Sequence, residues 1–235
     1  MGKSRKERAE LASEASGGRI RLAHRAHIIA CAERIFAEHG FAGATMSRIA
    51  EAAALPKANL HYYFGTKVLL YRAVLENILT LWLDDMDPIT PEADPAAALA
   101  AYIAAKMAHS RNRPQASKVF AAELLHGAPE LGTYLRLDLR RKVAEKSAVI
   151  EGWIARRQIT PVEPRHLFFT IWAMTQTYAD FDTQMAAVLG IDKLDAGDYA
   201  TGTETVIRLV LRGLGIAPAG ETEVSDIMTQ QRRTA

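Results

Sequence analysis

SRIAEAAALPKANLHYYF, Ser47 to Phe64, decides how the rest of the chain is read. Ile49, Ala50 and Ala53 recur at the spacing of one helical face, and Ala54-Leu55-Pro56 interrupts them. Leu60 and Phe64, at i and i+4, restart the pattern. Two short helices joined by a turn of three or four residues form a helix-turn-helix, whose second helix can enter the major groove of DNA. In that arrangement Leu55 anchors the turn while Leu60 and Phe64 face inward. Lys57, Ala58, Asn59, His61 and Tyr62 then face outward, with Tyr63 at the edge. A surface helix of an ordinary bundle is the other reading, but such a helix favours Glu/Lys pairs over a His-Tyr-Tyr run. Asn can pair bidentately with adenine, and Lys, Tyr and Thr suit phosphates or base edges. Lys57, Asn59, His61 and Tyr62 are therefore assigned to the groove, and Thr45, Ser47, Tyr63 and Lys67 to phosphates.

Helical periodicity continues on both sides. Ile28, Ala32, Ile35 and Phe36 predict a helix over 23–39, which Gly40 stops. Thr45 or Ser47 caps the first helix of the motif, and Thr66 caps a long one carrying Tyr71, Val74, Leu75, Ile78, Leu79, Trp82 and Met86. Asp94-Pro95 starts another, Pro114 and Gly127-Ala128-Pro129 bracket a further one, and 130–157 reads as one long helix. A second long helix is predicted over 164–189 and a last one near 197–214. No alternating strand pattern and no internal repeat is present. The fold class is all-α, about nine helices: an N-terminal three-helix DNA-binding domain and a C-terminal helical bundle. The expected boundaries are a flexible basic arm at 1–21, the DNA-binding domain at 22–67, an effector-binding and dimerisation domain at 68–215, and a loose tail at 216–235.

Composition adds limits. The chain has 235 residues, 49% of them hydrophobic, and a net charge of only +2. Residues 1–27 nevertheless hold seven bases against three acids, a charge asymmetry that suits either a solvated leader or a nucleic-acid footprint. Arg19, Arg21 and Arg25 are placed to add DNA-backbone or minor-groove contacts. Cys31 is the single cysteine, so no intramolecular disulfide forms, and its periodic position makes it a small buried hydrophobe. The sequence shows no apolar run long enough to span a bilayer and no secretory h-region, which points to the cytoplasm.

TMSRIAEAAALPKANLHYYFGTKVLLYRAV resembles the DNA-binding segment of TetR-family transcriptional regulators, through Thr45, Ile49-Ala50, Ala53, Leu55, Leu60, the aromatic pair before Phe64, and Lys67. Ala54 departs from the family's turn glycine, and His61 stands where tyrosine or leucine is commoner. RPQASKVFAAELLHGAP, EKSAVIEGWI and FTIWAMTQTYADF are similar to the C-terminal domain of the RutR-like, pyrimidine-utilisation repressor subgroup. The resemblance implies an all-helical homodimer on a palindromic double-stranded operator. Its last two long helices would pair with their copies, and a small effector would control DNA affinity.

Phe168, Trp172 and Gln176 lie in one i, i+4, i+8 row beside a core stripe of Leu167, Ile171, Met174, Tyr178 and Phe181. A buried glutamine needs partners for a carbonyl and an amide NH2. Those partners are a backbone carbonyl, a symmetry mate at a dimer interface, or the imide edge of uracil or thymine. Trp82, Phe120 and Trp172 would sandwich a flat heterocycle, and Tyr178 is counted with them as an effector contact. The resemblance carries Trp82, Trp172 and Gln176 onto matching positions of the subgroup, which favours the effector.

Two Glu-x-x-His pairs, Glu123/His126 and Glu163/His166, have the spacing used by di-iron helical bundles. Both fall at predicted helix ends, where His suits a C-terminus and Glu an N-terminus without any metal. There is no Gly-x-Ser-x-Gly, P-loop or His-Glu-x-x-His, and Gly213-Leu214-Gly215 follows a helix rather than a strand, so no enzyme and no cofactor is expected. A regulator with a different effector, or with none and a C-terminal half that serves only dimerisation, is the remaining alternative.

Overall fold

The computed structural model describes residues 5–216, with the backbone alone for 5–17 and for residue 19. Residues 217–235 of the tail expected at 216–235, and the first four residues of the basic arm, lie outside the described residues. Among the described residues the chain is all-helical: α1 (Arg5–Gly43), α2 (Met46–Ala52), α3 (Lys57–Phe64), α4 (Lys67–Asp84), α5 (Pro95–Asn112), α6 (Pro114–Leu125), α7 (Gly132–Tyr134), α8 (Arg140–Ala155), α9 (Pro164–Asp180), α10 (Asp182–Leu189) and α11 (Ala196–Gly213). A π-helical segment, Leu135–Leu139, joins α7 to α8.

The caps behave as their chemistry dictates. Thr45, Thr66 and Asp94 accept from the backbone N–H of Arg48, Leu69 and Ala97, each three residues on. Asp195 and Asp198 form a reciprocal capping box on α11. Gly40, at φ +65°, breaks α1 where a stop was expected.

Three boundaries differ from the sequence reading. Helix α1 begins at Arg5 rather than at 23. Residues 5–22 are rich in Ala, Glu, Arg and Leu and contain no proline, and extending an anchored helix costs far less than nucleating one. The helix expected over 130–157 is interrupted by the π-helical turn at 135–139. The one expected over 164–189 breaks at Phe181, whose backbone (φ −123°, ψ 30°) leaves the helix, while Asp182, the first residue of α10, accepts from the N–H of Thr183 and pairs with Lys118. Phe181 is consequently exposed rather than part of the core stripe.

Two apolar clusters fill the interior. One joins α1–α4 to α6 through Ile28, Phe36, Ile49, Leu60, Phe64, Val74, Ile78, Trp82 and Phe120. The other joins α5, α8, α9 and α11 through Leu99, Ile103, Ile150, Trp153, Phe168, Ile171, Val206 and Val210. Leu83 and Leu139 pack against both. A charge pair also crosses between them: Arg113, at the α5–α6 corner, donates to the buried carboxylate of Glu33 on α1.

The turn between α2 and α3 is a Schellman motif. The N–H of Ala54 reaches Glu51 O (3.0 Å), and that of Leu55 reaches Ala50 O (3.0 Å). Side chains of α1 close it further, with His27 Nε2 3.0 Å from Ala53 O and Cys31 Sγ donating to Ala52 O. Ala54 sits in the left-handed region, φ +52°, where a β-carbon costs about 1–2 kcal/mol. Part of that strain is offset by the smaller unfolded-state entropy of alanine. Ala54→Gly should therefore raise the thermal unfolding midpoint by about 2–4 °C, for a net gain of ~1 kcal/mol. A lowered midpoint in calorimetry would contradict the strain reading.

Candidate DNA-binding face and effector cavity

Helix α3 buries Leu60 and Phe64 and turns Lys57, Ala58, His61 and Tyr62 to solvent. Lys57 and His61 are exposed, and Tyr62 is 72% exposed, unusual for an aromatic with no partner domain over it. Asn59 and Tyr63 are half-buried at the edge, with Tyr63 packed edge-on against Tyr62 (5.3 Å between ring centroids). Thr45 and Ser47 are exposed at the start of α2. Arg21 and Arg25 of α1 lean over the same helix, 5.9 Å from the Tyr62 ring centroid and 5.4 Å from that of Phe64. The side chain of Arg19 lies outside the described residues. The outward face thus joins cations, amide and phenols on one helix end, the composition a phosphate-lined groove requires.

Two expected contacts have structural employment as well. Lys67 donates to Phe41 O (2.8 Å) and Ala44 O (3.0 Å) with its ammonium 4.4 Å from the Phe41 ring centroid, so two of its three donors satisfy the chain between α1 and α2. The His61 ring bonds Gly65 O at 2.7 Å through Nδ1, closing the end of α3.

In the second half, Trp82, Phe120, Trp172 and Gln176 line one cavity of about 180 Å³. Three helices, α4, α6 and α9, supply them, so no sequence window contains the site. Trp82 and Phe120 meet edge to face at 4.8 Å. Leu79, Leu83, Met86, Leu124, Leu135 and Leu139 complete an apolar lining, the last two from the π-helical turn. The Gln176 amide makes no hydrogen bond to any described residue.

Tyr178 does not belong to this cavity. Its ring lies against α11 at Gly202, where a β-carbon would fall 2.5 Å from the ring, and its carbonyl accepts from the Tyr199 hydroxyl. Two residues beyond Gln176, it points to a different face of α9. Phe168 likewise packs in the core against Tyr102 and does not reach the cavity.

Tyr102 and Lys106 are cavity residues that the sequence reading missed. Trp172 Nε1 donates to Tyr102 Oη at 2.6 Å, which fixes the indole. Burial holds the Tyr102 phenol protonated well above its ordinary range. Lys106 is 3% exposed, with Nζ 3.9 Å from the Trp82 ring centroid. Burial pushes its ammonium down from 10.5 to about 8, against the opposing pull of Asp85 and Asp180. The only available signal was a lysine on an alanine-rich helix at a position where the apolar stripe called for a hydrophobe.

The two Glu-x-x-His pairs have ordinary tasks. Glu123 is buried and accepts from the backbone N–H of Glu130 (2.7 Å) and Leu131 (3.1 Å), while His126 bonds Ala122 O. Glu163 caps α9 through the N–H of His166. Among the described residues no three His, Cys, Asp or Glu side chains cluster as metal ligands, and no helix is long and apolar enough to cross a membrane.

Known proteins share both halves. Residues 28–74 match the family model described as bacterial regulatory proteins, tetR family, and 75–217 match that of the YcdC-like protein, C-terminal region. The HTH-type transcriptional regulator RutR of Escherichia coli K12 is 42% identical over 187 residues, 80% of this chain and 88% of that protein. The HTH-type transcriptional repressor NicS of Pseudomonas putida is 25% identical over 196 residues, 81% and 92% of the two chains. Among solved structures, the transcriptional regulator SCO4942 of Streptomyces coelicolor superposes with a TM-score of 0.61 at 25% identity, covering 81% of this chain and 97% of that one. AibR, solved with isovaleryl coenzyme A and operator DNA, shares the fold at 18% identity, with a TM-score of 0.60 and coverage of 79% and 97%. The chain belongs to the TetR family of bacterial regulatory proteins and is a ligand-responsive, DNA-binding transcriptional regulator rather than an enzyme.

Proposed function

We propose that this regulator is a homodimeric repressor of a palindromic operator, and that uracil or thymine bound in the α4–α5–α6–α9 cavity controls its DNA affinity. The carrying observation is convergence. Trp82, Phe120, Trp172 and Gln176, distant in sequence, meet around one cavity that is apolar except for a few polar groups. That lining suits a flat heterocycle with one hydrogen-bonding edge. The identity to RutR over most of both chains supports the assignment to that subgroup.

DNA reading is assigned to residues within 22–67, with Lys57, Asn59, His61 and Tyr62 in the groove. Thr45, Ser47 and Tyr63 contact phosphates, and Lys67 does so with its remaining donor. Residues 68–215 carry the effector site and the dimer contact. Exposed Phe169 and Phe181 beside α9, with Leu209 on α11, support pairing of these helices with their copies.

Saturating uracil or thymine should raise the melting temperature of the full chain by several degrees. Gln176→Leu should abolish that shift. No shift with either pyrimidine removes the base assignment, and loss of dimerisation in Gln176→Leu favours the interface role for this residue.

Lys106 gives a pH signature. With its native pKa near 8 and an ordinary value of 10.5, the unfolded chain holds the extra proton between those limits. Stability attributable to this residue is therefore lowest below pH 8 and grows as pH rises through the window. Relative to Lys106→Met, the wild-type protein should gain about 1–2 kcal/mol between pH 7 and 9.5 in denaturant titrations. Parallel curves for the two proteins would show that the ammonium is not buried in solution.

A further inference from the structure

Helix α1 runs on ahead of Ile28, where the likeness to the tetR family model begins. The rest of the chain leaves this stretch uncovered: Gly18 and all residues from Ile20 to His27 are exposed, Ile20 at 56% and Leu22 at 68%. Its charge is unevenly spread. Residues 5–14 hold Arg5, Lys6 and Arg8 against Glu7, Glu10 and Glu14, which cancel. Residues 15–32 hold Arg19, Arg21 and Arg25, with His24 and His27, and no acid. Arg21 and Arg25 stand one turn apart, at i and i+4, and so share a face. Among the described residues neither meets a carboxylate. Each guanidinium lies instead over an aromatic ring of α3, Arg21 5.9 Å from the Tyr62 centroid and Arg25 5.4 Å from that of Phe64. A guanidinium resting on an aromatic face keeps its N–H edge free for phosphate oxygens. A helix about 10–12 Å across fills a major groove about 12 Å wide. With α3 in the groove, a helix alongside it stands against the sugar–phosphate wall rather than over the bases.

We propose that Arg21 and Arg25 form a phosphate clamp. Their guanidinium groups, held on α3 by Tyr62 and Phe64, bind two backbone phosphates of the strand that borders the groove. The partner is the DNA backbone and not a base edge. This rests on the assignment of α3 to the major groove, and it extends the DNA contact into the part of α1 that precedes the family match. Tyr62 then serves both tasks, since one face of its ring supports Arg21 while the side chain enters the groove. Phosphate contacts fix register and orientation, and a clamp anchored on the reading helix sets the register of that helix directly. Arg19, two positions from Arg21, falls outside the i, i+4 row and takes no part.

Salt titration of DNA binding by the full chain tests this, on an operator selected by the protein from a random library and on a scrambled duplex of equal length. Arg21→Gln and Arg25→Gln should each lower the slope of log affinity against log salt by about 0.9, and the double variant by about 1.8. Both duplexes should show the same loss, because phosphates carry no sequence. Arg19→Gln should leave the slope unchanged. Both clamp arginines are exposed and glutamine keeps helix propensity, so the variants retain the fold. Neutral methylphosphonate linkages at the contacted phosphates should weaken the wild-type protein and cost the double variant nothing. An unchanged slope in the double variant overturns the clamp, even where binding weakens, since the arginines then only prop Tyr62. A loss confined to the operator assigns them to base edges and also overturns it. An equal fall in Arg19→Gln replaces the clamp by a diffuse basic arm. Asn59→Ala separates the two readings: it should narrow the operator's advantage over the scrambled duplex about tenfold or more at constant slope. If it does not, the groove assignment of α3 falls, while the slopes still decide the phosphate contact.

Discussion

An ammonium group held inside an apolar space, resting on an indole and touching no counter-ion, is the constraint on which the regulatory half is built. Lys106 could be replaced by a hydrophobe of similar volume at no loss, and on general grounds at some gain, of stability. Its position is informative because it lies where the two apolar clusters of the chain meet. Trp82 and Phe120 belong to the cluster that also holds the helix-turn-helix, and Tyr102 belongs to the other. A ligand in the cavity that Lys106 lines would therefore act on the seam between the two cores.

That location gives the coupling between ligand and DNA a physical basis. Helices α4 and α6 supply Leu79, Trp82, Phe120 and Leu124 to the cavity. The same helices pack against α1, whose far side holds the turn of the DNA-binding motif through His27 and Cys31. Arg113 on Glu33 ties the start of α6 to α1, and Lys67 ties the start of α4 to the chain between α1 and α2. Close-packed elements joined this way shift as bodies rather than deforming locally. Displacing α4 or α6 at the cavity would thus reorient α3, and in the proposed dimer two α3 helices would have to keep the half-site spacing of the operator.

Much of this was legible in the chain itself. The helix-turn-helix is a local structure, and its apolar spacing, caps and exposed face all follow from residues within about twenty positions. Of the five positions assigned to the effector, Trp82, Phe120, Trp172 and Gln176 line the cavity; Gln176 was marked by the partners a buried amide needs, and the aromatics as walls for a flat ring. Tyr178 misled because period alone does not say which of two buried faces of α9 meets the cavity; packing on Gly202 decided it. Lys106 and Tyr102 were illegible because α5 reads as an alanine-rich core helix, and only the tertiary arrangement turns one of its faces toward α9. The break at Phe181 and the π-helical turn depend on contacts with other helices, Lys118 with Asp182 in the first case, and no local pattern announces them.

In the proposed regulator, occupancy of the cavity and engagement of DNA are two readings of one equilibrium. Linkage requires that an effector which lowers DNA affinity by some factor be bound more weakly by the same factor on DNA. The direct measurement is uracil affinity of the full chain, free and saturated with an operator recovered by the protein from a random DNA library. Uracil should bind the DNA complex more weakly, by the factor with which uracil weakens operator binding. Equal uracil affinity in the two states, with binding intact, would contradict it.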